Sequence, residues 1–213
     1  MNLHKIPKMV NPENEMLLVP AGETKNAQDQ KIAAITRHFA HIMEILGLDL
    51  TNDSLQETPH RVAKMYVNEL FRGLEPANKP HITVFNNDFN YHTSLVELNI
   101  PFSSVCEHHF LPFKGKVNIA YFPKEKIIGL SKLHRIVDYF ARRPQVQERL
   151  TKQIMDELQL HLHTDDIGVA IKASHHCIAC RGVNDTGSAT LTSLFSGKVL
   201  EDENLISVLR NFK

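Results

Sequence analysis

Cys106-Glu107-His108-His109 places a thiol, a carboxylate and two imidazoles on four consecutive positions, just before Phe110-Leu111-Pro112. Farther along, the stretch SHHCIACRG supplies His175, His176, Cys177 and Cys180. Thiolate and imidazole are favoured zinc ligands, and a catalytic zinc keeps three protein ligands with a fourth position open for water. In a turn, positions i and i+3 share a side, which pairs Cys106 with His109; in a continued strand, i and i+2 do, which pairs Cys106 with His108. Spacing alone leaves both open. Two closures of the site compete. Cys106, His109 and Cys177 would leave one position vacant and free His108 and His175 as acid or base, whereas adding Cys180 would give a closed, structural Cys₃His site. A strand running through Cys180 would point that side chain away from Cys177, so joint ligation requires a turn there.

A second chemistry is that of anions. GLSKLHR offers Ser131, Lys132 and Arg135 around a helix start, where unpaired backbone N–H groups and the helix dipole favour negative charge. Arg181 follows the second Cys/His cluster, and Arg61 and Lys64 lie near the start of an earlier helix. Such a set suits a triphosphate. Glu148 has Lys152 four residues on, the favoured order for an ion pair along a helix, and its plain reading is that pair.

These residues need elements to hold them. Ile32, Ile35, Phe39, Ile42, Met43 and Leu46 recur at helical spacing up to Gly47. A second helix is expected from Thr58, as cap, and Pro59 through Leu70 to a stop at Gly73. From Ser94 the period becomes two: Val96, Leu98, Ile100 and Phe102 alternate with polar neighbours, predicting a half-buried strand that leads into the Cys106 cluster. Lys114-Gly115-Lys116 reads as a turn, with Val117, Ile119 and Tyr121 as a hairpin partner beyond it. Ser131 is expected to cap a helix that Pro144 ends; a further helix carries Val146, Leu150, Ile154 and Leu158. Ile167 to Ile178 returns to period two, which would set His175 and Cys177 side by side, and Ala189 to Leu194 can form a last strand. The order predicts an α+β fold, an antiparallel sheet with helices on one face.

Composition sets the remaining bounds. The 213 residues are 42% hydrophobic, enough for one main domain, expected over 91–213, with a helical region over 28–90 and a flexible arm over 1–27. Lys plus Arg and Asp plus Glu both number 24, so no global field draws the chain to nucleic acid or a membrane surface. Met1 to Val10 has no signal-peptide core and no apolar run is long enough to span a bilayer, so a soluble, cytoplasmic protein is expected. Three cysteines, all beside histidines, fit metal or thiol chemistry in a reducing compartment better than a disulfide framework.

Five blocks in order, ETPHRVAKMY, CEHHF, GLSKLHRIV, RPQVQERLT and HHCIACRG, resemble the GTP cyclohydrolase I family over roughly residues 28–200. That resemblance implies a tunnelling fold, a four-stranded antiparallel sheet with two helices on one face, preceded by N-terminal helices. It further implies a homo-oligomer, a decamer built from pentamers, with active sites between subunits. By the same matching Cys106, His109 and Cys177 look like the zinc ligands, and His108 and His175 like the proton-moving histidines. Glu148, with Gln147 beside it, looks like the carboxylate that binds guanine. Ser131, Lys132, Arg135 and Arg181 look like triphosphate ligands, with Arg61 and Lys64 delivered from a neighbouring subunit. The implied reaction is hydrolysis of GTP at C8, release of formate, rearrangement of the ribose and closure to 7,8-dihydroneopterin triphosphate, with His175 protonating N7 and His108 serving ribose opening.

The chain departs from the family pattern at Cys180, where an apolar residue is commoner, at His134, and in the tail TLTSLFSG. Cys180 could supply a fourth thiolate or pair with Cys177 on oxidation. The rival readings are therefore a closed, non-catalytic zinc module, a nitrile-reducing oxidoreductase on the same fold, and a redox protein using Cys177 and Cys180. The last lacks the βαβ order such proteins have.

Overall fold

Two of the period-two runs meet at the centre of the sheet. The computed structural model describes residues 25–213. The flexible arm expected over 1–27 lies outside the described residues except for 25–27, which open helix α1 (Lys25–Ile45). Helix α2 (Thr58–Met65) packs against α1 and continues as a π turn over Tyr66–Leu70 and a 3-10 turn over Arg72–Leu74. Pro59 sits in its first turn as expected, but Glu57 rather than Thr58 is the capping residue, and no side chain caps the helix.

Strands β1 (Val84–Asn86) and β4 (Lys126–Ile128) make a small antiparallel pair. The main sheet has the order β5-β2-β3-β6-β7, with β2 Leu95–Cys106, β3 Pro112–Tyr121, β5 Pro144–Gln145, β6 Ile167–His175 and β7 Thr190–Phe195. Four antiparallel strands thus form the body, and β5 adds a two-residue parallel pairing to Val105 and Cys106.

The hairpin turn lies over residues 107–111, not at Lys114-Gly115-Lys116. Gly115 sits inside β3, opposite Phe102 and Ala173. A Cβ there would lie 2.0 Å from the Lys172 carbonyl oxygen and 2.7 Å from Ala173 Cα, so glycine answers a close approach of strands and not a turn. The alternation along β2 also breaks. A register shift between Glu97 and Ile100 centres on Asn99, whose φ is +60°, and moves Val96 to the opposite face from Ile100 and Phe102. Leu98 is left exposed.

Helices α3 (Leu130–Ala141) and α4 (Gln147–Leu162) cover one face, burying Leu133, Ile136, Val137, Leu150, Ile154 and Leu158 against Ile100, Val117, Ile119, Val169 and Ile171. The other face is not bare. The short helices α6 (Gly197–Glu201) and α7 (Glu203–Arg210) bury Val199, Leu205 and Leu209 on Ala120 and Ala170, so helices lie on both faces where the sequence predicts one. No helix among the described residues is long and apolar enough to cross a membrane.

Candidate metal centre and substrate site

Cys106 is the last residue of β2 and is buried. After it the chain turns: the Phe110 amide donates to the Cys106 carbonyl at 2.9 Å, the Cys106 amide donates to the Leu111 carbonyl at 2.8 Å, and Phe110 takes a φ of +54°. That turn brings both histidines near the thiol. Cys106 Sγ lies 3.7 Å from His108 Nδ1 and 3.9 Å from His109 Nδ1.

The far strand separates them. β6 ends at His175, and residues His176–Ala179 form a single helical turn, α5, which carries Cys177. The side-by-side strand placement of His175 and Cys177 is therefore replaced by a strand end and a turn. Among the described residues, Cys106, His109 and Cys177 bring one donor atom each to within 4.8 Å of one another. Cys180 is outside this group. It is exposed, and its thiol donates to the His176 carbonyl, although the turn that joint ligation would require is present.

Two thiols and an imidazole converging this closely form a donor set that fits zinc. All three cysteines are free thiols. Burial pushes the Cys177 thiol up, the neighbouring Cys106 pushes it further, and the Arg181 guanidinium opposes both. A divalent cation would reverse that balance and favour the thiolates.

His175 lies beside this cluster. Its ring stacks on Phe113 with centroids 4.7 Å apart, and its Nε2 is 2.9 Å from Gln147 Oε1. Gln147 is buried at the first turn of α4, and its amide nitrogen donates to the carbonyls of Ile171 (3.0 Å) and Thr190 (3.1 Å) and reaches Thr192 Oγ1 at 3.1 Å. Those acceptors fix which end of the amide faces His175. Oε1 must accept, so Nε2 carries the proton and Nδ1 is the nitrogen left to exchange one. Burial lowers the His175 pKa, with the charge of nearby Glu148 acting the other way.

Glu148 is exposed, and the ion pair expected with Lys152 is absent because Lys152 pairs with Asp156 instead. Beside it, Arg149 grips Glu107 with both guanidinium nitrogens, at 2.7 and 2.9 Å, and holds that carboxyl below its usual range. The pairing of Arg149 with Glu107 is not visible in the sequence, since 42 positions separate them.

The anion residues are less gathered. Gly129 is the N-cap of α3, so Ser131 lies in its first turn and does not cap it. Lys132 Nζ donates to the His81 carbonyl at 2.8 Å. Arg135 lines a cavity of about 510 Å³ with Arg72, Asn78, His134 and Asp138. Arg181 is exposed next to Cys177. Arg61 and Lys64 are exposed on α2, and Lys64 lines a different cavity, with Arg37 and His60. Within one chain, these two cavities share no residue with each other or with the Cys/His group.

The family model for GTP cyclohydrolase I matches residues 35–211. This chain belongs to the GTP cyclohydrolase I family. It is 49% identical over 193 residues to a GTP cyclohydrolase 1 of Actinobacillus pleuropneumoniae, covering 88% of each chain. It is 48% identical over 183 residues to one of Haemophilus ducreyi, covering 86% of this chain and 84% of the relative. A third, of Pasteurella multocida, is 49% identical over 175 residues, 82% and 80% of the two chains. Among solved structures, the apo form of an archaeosine synthase QueF-Like matches with a TM-score of 0.40 and 16% identity over 50% of this chain and 94% of that one, a likeness that carries no argument.

Proposed function

We propose that this protein hydrolyses GTP at C8, releases formate and recloses the ring to give 7,8-dihydroneopterin triphosphate, the entry reaction of pterin and folate synthesis. The observation that carries the reading is the convergence of Cys106, His109 and Cys177 beside a His175 that a buried amide orients. Family membership supplies the substrate class.

Cys106, His109 and Cys177 would hold the zinc, with the fourth position open because the Cys180 thiol faces the His176 carbonyl. When bound, zinc supplies a Lewis acid that lowers the pKa of water to about 7. The chain's own residues do the rest. His175 keeps its Nε2 proton on Gln147 and exchanges a proton with substrate N7 through Nδ1. His108, exposed on the Cys106 turn, serves opening of the ribose. Glu148, exposed at the start of α4, accepts from guanine N1–H and the exocyclic amine. Ser131, Lys132, Arg135 and Arg181 receive the triphosphate; Lys132 must first release the His81 carbonyl.

Arg61 and Lys64 join them from a neighbouring subunit of a homo-oligomer, a decamer with a tunnelling fold. Exposed apolar side chains at the end of α1 (Ile42, Ile45), just after it (Leu46) and in the metal turn (Phe110), together with an outer edge of β7 that is unpaired among the described residues, favour such an assembly.

Glu148 is the sharpest test of substrate choice. Adenine would present an acceptor at N1 to the carboxylate, and an unmatched polar group of this kind costs roughly 1–3 kcal/mol. Glu148→Ala should lose most of its preference for GTP over ATP while its melting temperature stays near the parent's. Equal discrimination by variant and parent would refute the assignment.

A further inference from the structure

Glu107 is the one member of the Cys106-Glu107-His108-His109 stretch without a task in the mechanism above. Its carboxylate is held bidentately by Arg149, at 2.7 and 2.9 Å, across 42 positions of sequence. Exposed ion pairs usually add little stability. A bidentate guanidinium–carboxylate pair, however, fixes direction as well as distance. The two segments it joins also matter: Glu107 lies between Cys106 and His109, and Arg149 directly follows Gln147 and Glu148.

The same two segments are tied by backbone. The Glu107 amide donates to the Gln145 carbonyl at 3.0 Å, and Val105 and Cys106 pair with Pro144 and Gln145 through β5. This ladder is only two residues long and holds the turn at one end. The β2–β3 hairpin fixes the two ends of the turn itself, and the side-chain pair adds a second attachment between the turn and the start of α4. Without that attachment the exposed part of the turn, which carries His109, would be tied to the start of α4 by the β5 ladder alone.

We propose that Glu107 and Arg149 form a positioning clamp that sets the metal-binding turn against the substrate-binding start of α4. This rests on the reading of Cys106, His109 and Cys177 as metal ligands and of Glu148 as the guanine carboxylate. Groups that hydrogen-bond metal ligands directly typically change metal affinity or activity by roughly 10- to 100-fold when removed; Glu107 and Arg149 act one step farther out, through the backbone of the turn, so the lower end of that range is expected.

The test is a double-mutant cycle on the full chain with Arg149→Met, Glu107→Gln and the double variant, read in two ways. In the first, metal-free protein is titrated with Co²⁺ and followed by thiolate-to-cobalt absorption. Each single variant should bind Co²⁺ roughly tenfold more weakly, and the double variant no more weakly than the worse single, because the pair acts as a unit. Arg149→Lys should restore only part, since one ammonium cannot grip both oxygens. In the second, zinc-loaded variants should lose kcat with the KM for GTP within about twofold, the pattern of misplacement and not of lost substrate binding. Parental Co²⁺ affinity in the singles, additive losses in the double, or a rise in KM alone would each overturn the proposal. Should the parent itself release no formate from GTP, the reaction assigned above fails while the cobalt cycle still decides the clamp.

Discussion

Single side chains carry the chemistry, and their types announce it while their partners do not. The two clusters that hold Cys106, His109 and Cys177 can be picked from the sequence because thiols and imidazoles in two separated stretches have few other uses, and the choice of these three within the clusters comes from the family resemblance. The choice between His108 and His109 could not be made from spacing. Both rings approach the Cys106 thiol, and only the position of Cys177, on the helical turn that follows β6, distinguishes them. Gln147 shows the same limit. Read beside Glu148 it belongs with the substrate, yet its side chain is buried, and its amide is engaged by Ile171, Thr190, Thr192 and His175. Its measurable consequence is structural and catalytic together. Gln147→Leu keeps the volume but leaves the carbonyls of Ile171 and Thr190 without this donor and His175 without its acceptor. We expect a loss of about 1–3 kcal/mol in unfolding free energy per group left unpaired, seen in urea midpoints, together with a fall in kcat. A variant as stable and active as the parent would show that the amide network orients nothing.

At the scale of elements, hydrophobic period was informative wherever an element is long and one-sided. Helices α3 and α4 lie where the apolar repeats place them, and β2, β3 and β6 cover the expected runs, although β2 is broken by a bulge, β3 begins earlier, at Pro112, and β6 ends at His175 instead of continuing to Ile178. The misplaced features have physical causes. Lys114-Gly115-Lys116 carries a turn's composition, but glycine serves two purposes, and here the neighbouring strand is too close for a side chain. The bulge at Asn99 is held by its amide donating to Asn118 Oδ1 at 2.7 Å, and Asn118 in turn donates to the Leu209 carbonyl, contacts that no local pattern encodes. Strand β5 is two residues long and parallel, below any periodic signal. Helix α7 did leave a trace in Leu205 and Leu209, one turn apart, after Asp202, which caps it by accepting from the Leu205 amide at 2.9 Å. Gly115→Ala tests the sheet directly. Its methyl group would press on backbone atoms of β6, so a loss of about 1–3 kcal/mol or more is expected from thermal or urea unfolding. Unchanged stability would mean the strands can part at no cost.

For the whole molecule, one chain holds the proposed metal donors with Glu148 and Arg181 near them, but leaves Arg135 and Lys64 on separate surfaces. Lys64 and Arg135 line different cavities, and neither cavity includes Cys106, His109 or Cys177. A neighbouring copy that brings Arg61 and Lys64 across would complete the site. Complementation reads this out. Subunits carrying Arg61→Ala and subunits carrying His175→Ala, each inactive alone, should regain part of the activity when reassembled together, because some interfaces then pair an intact His175 with an intact Arg61. No recovery from a mixed oligomer would place both residues in one subunit's site.

The account as a whole stands on the reaction. Zinc-loaded protein incubated with GTP, with the products separated by chromatography, should yield formate and 7,8-dihydroneopterin triphosphate in equal amounts. Zinc retained with neither product formed would contradict it, and would point to Cys180 closing the metal site.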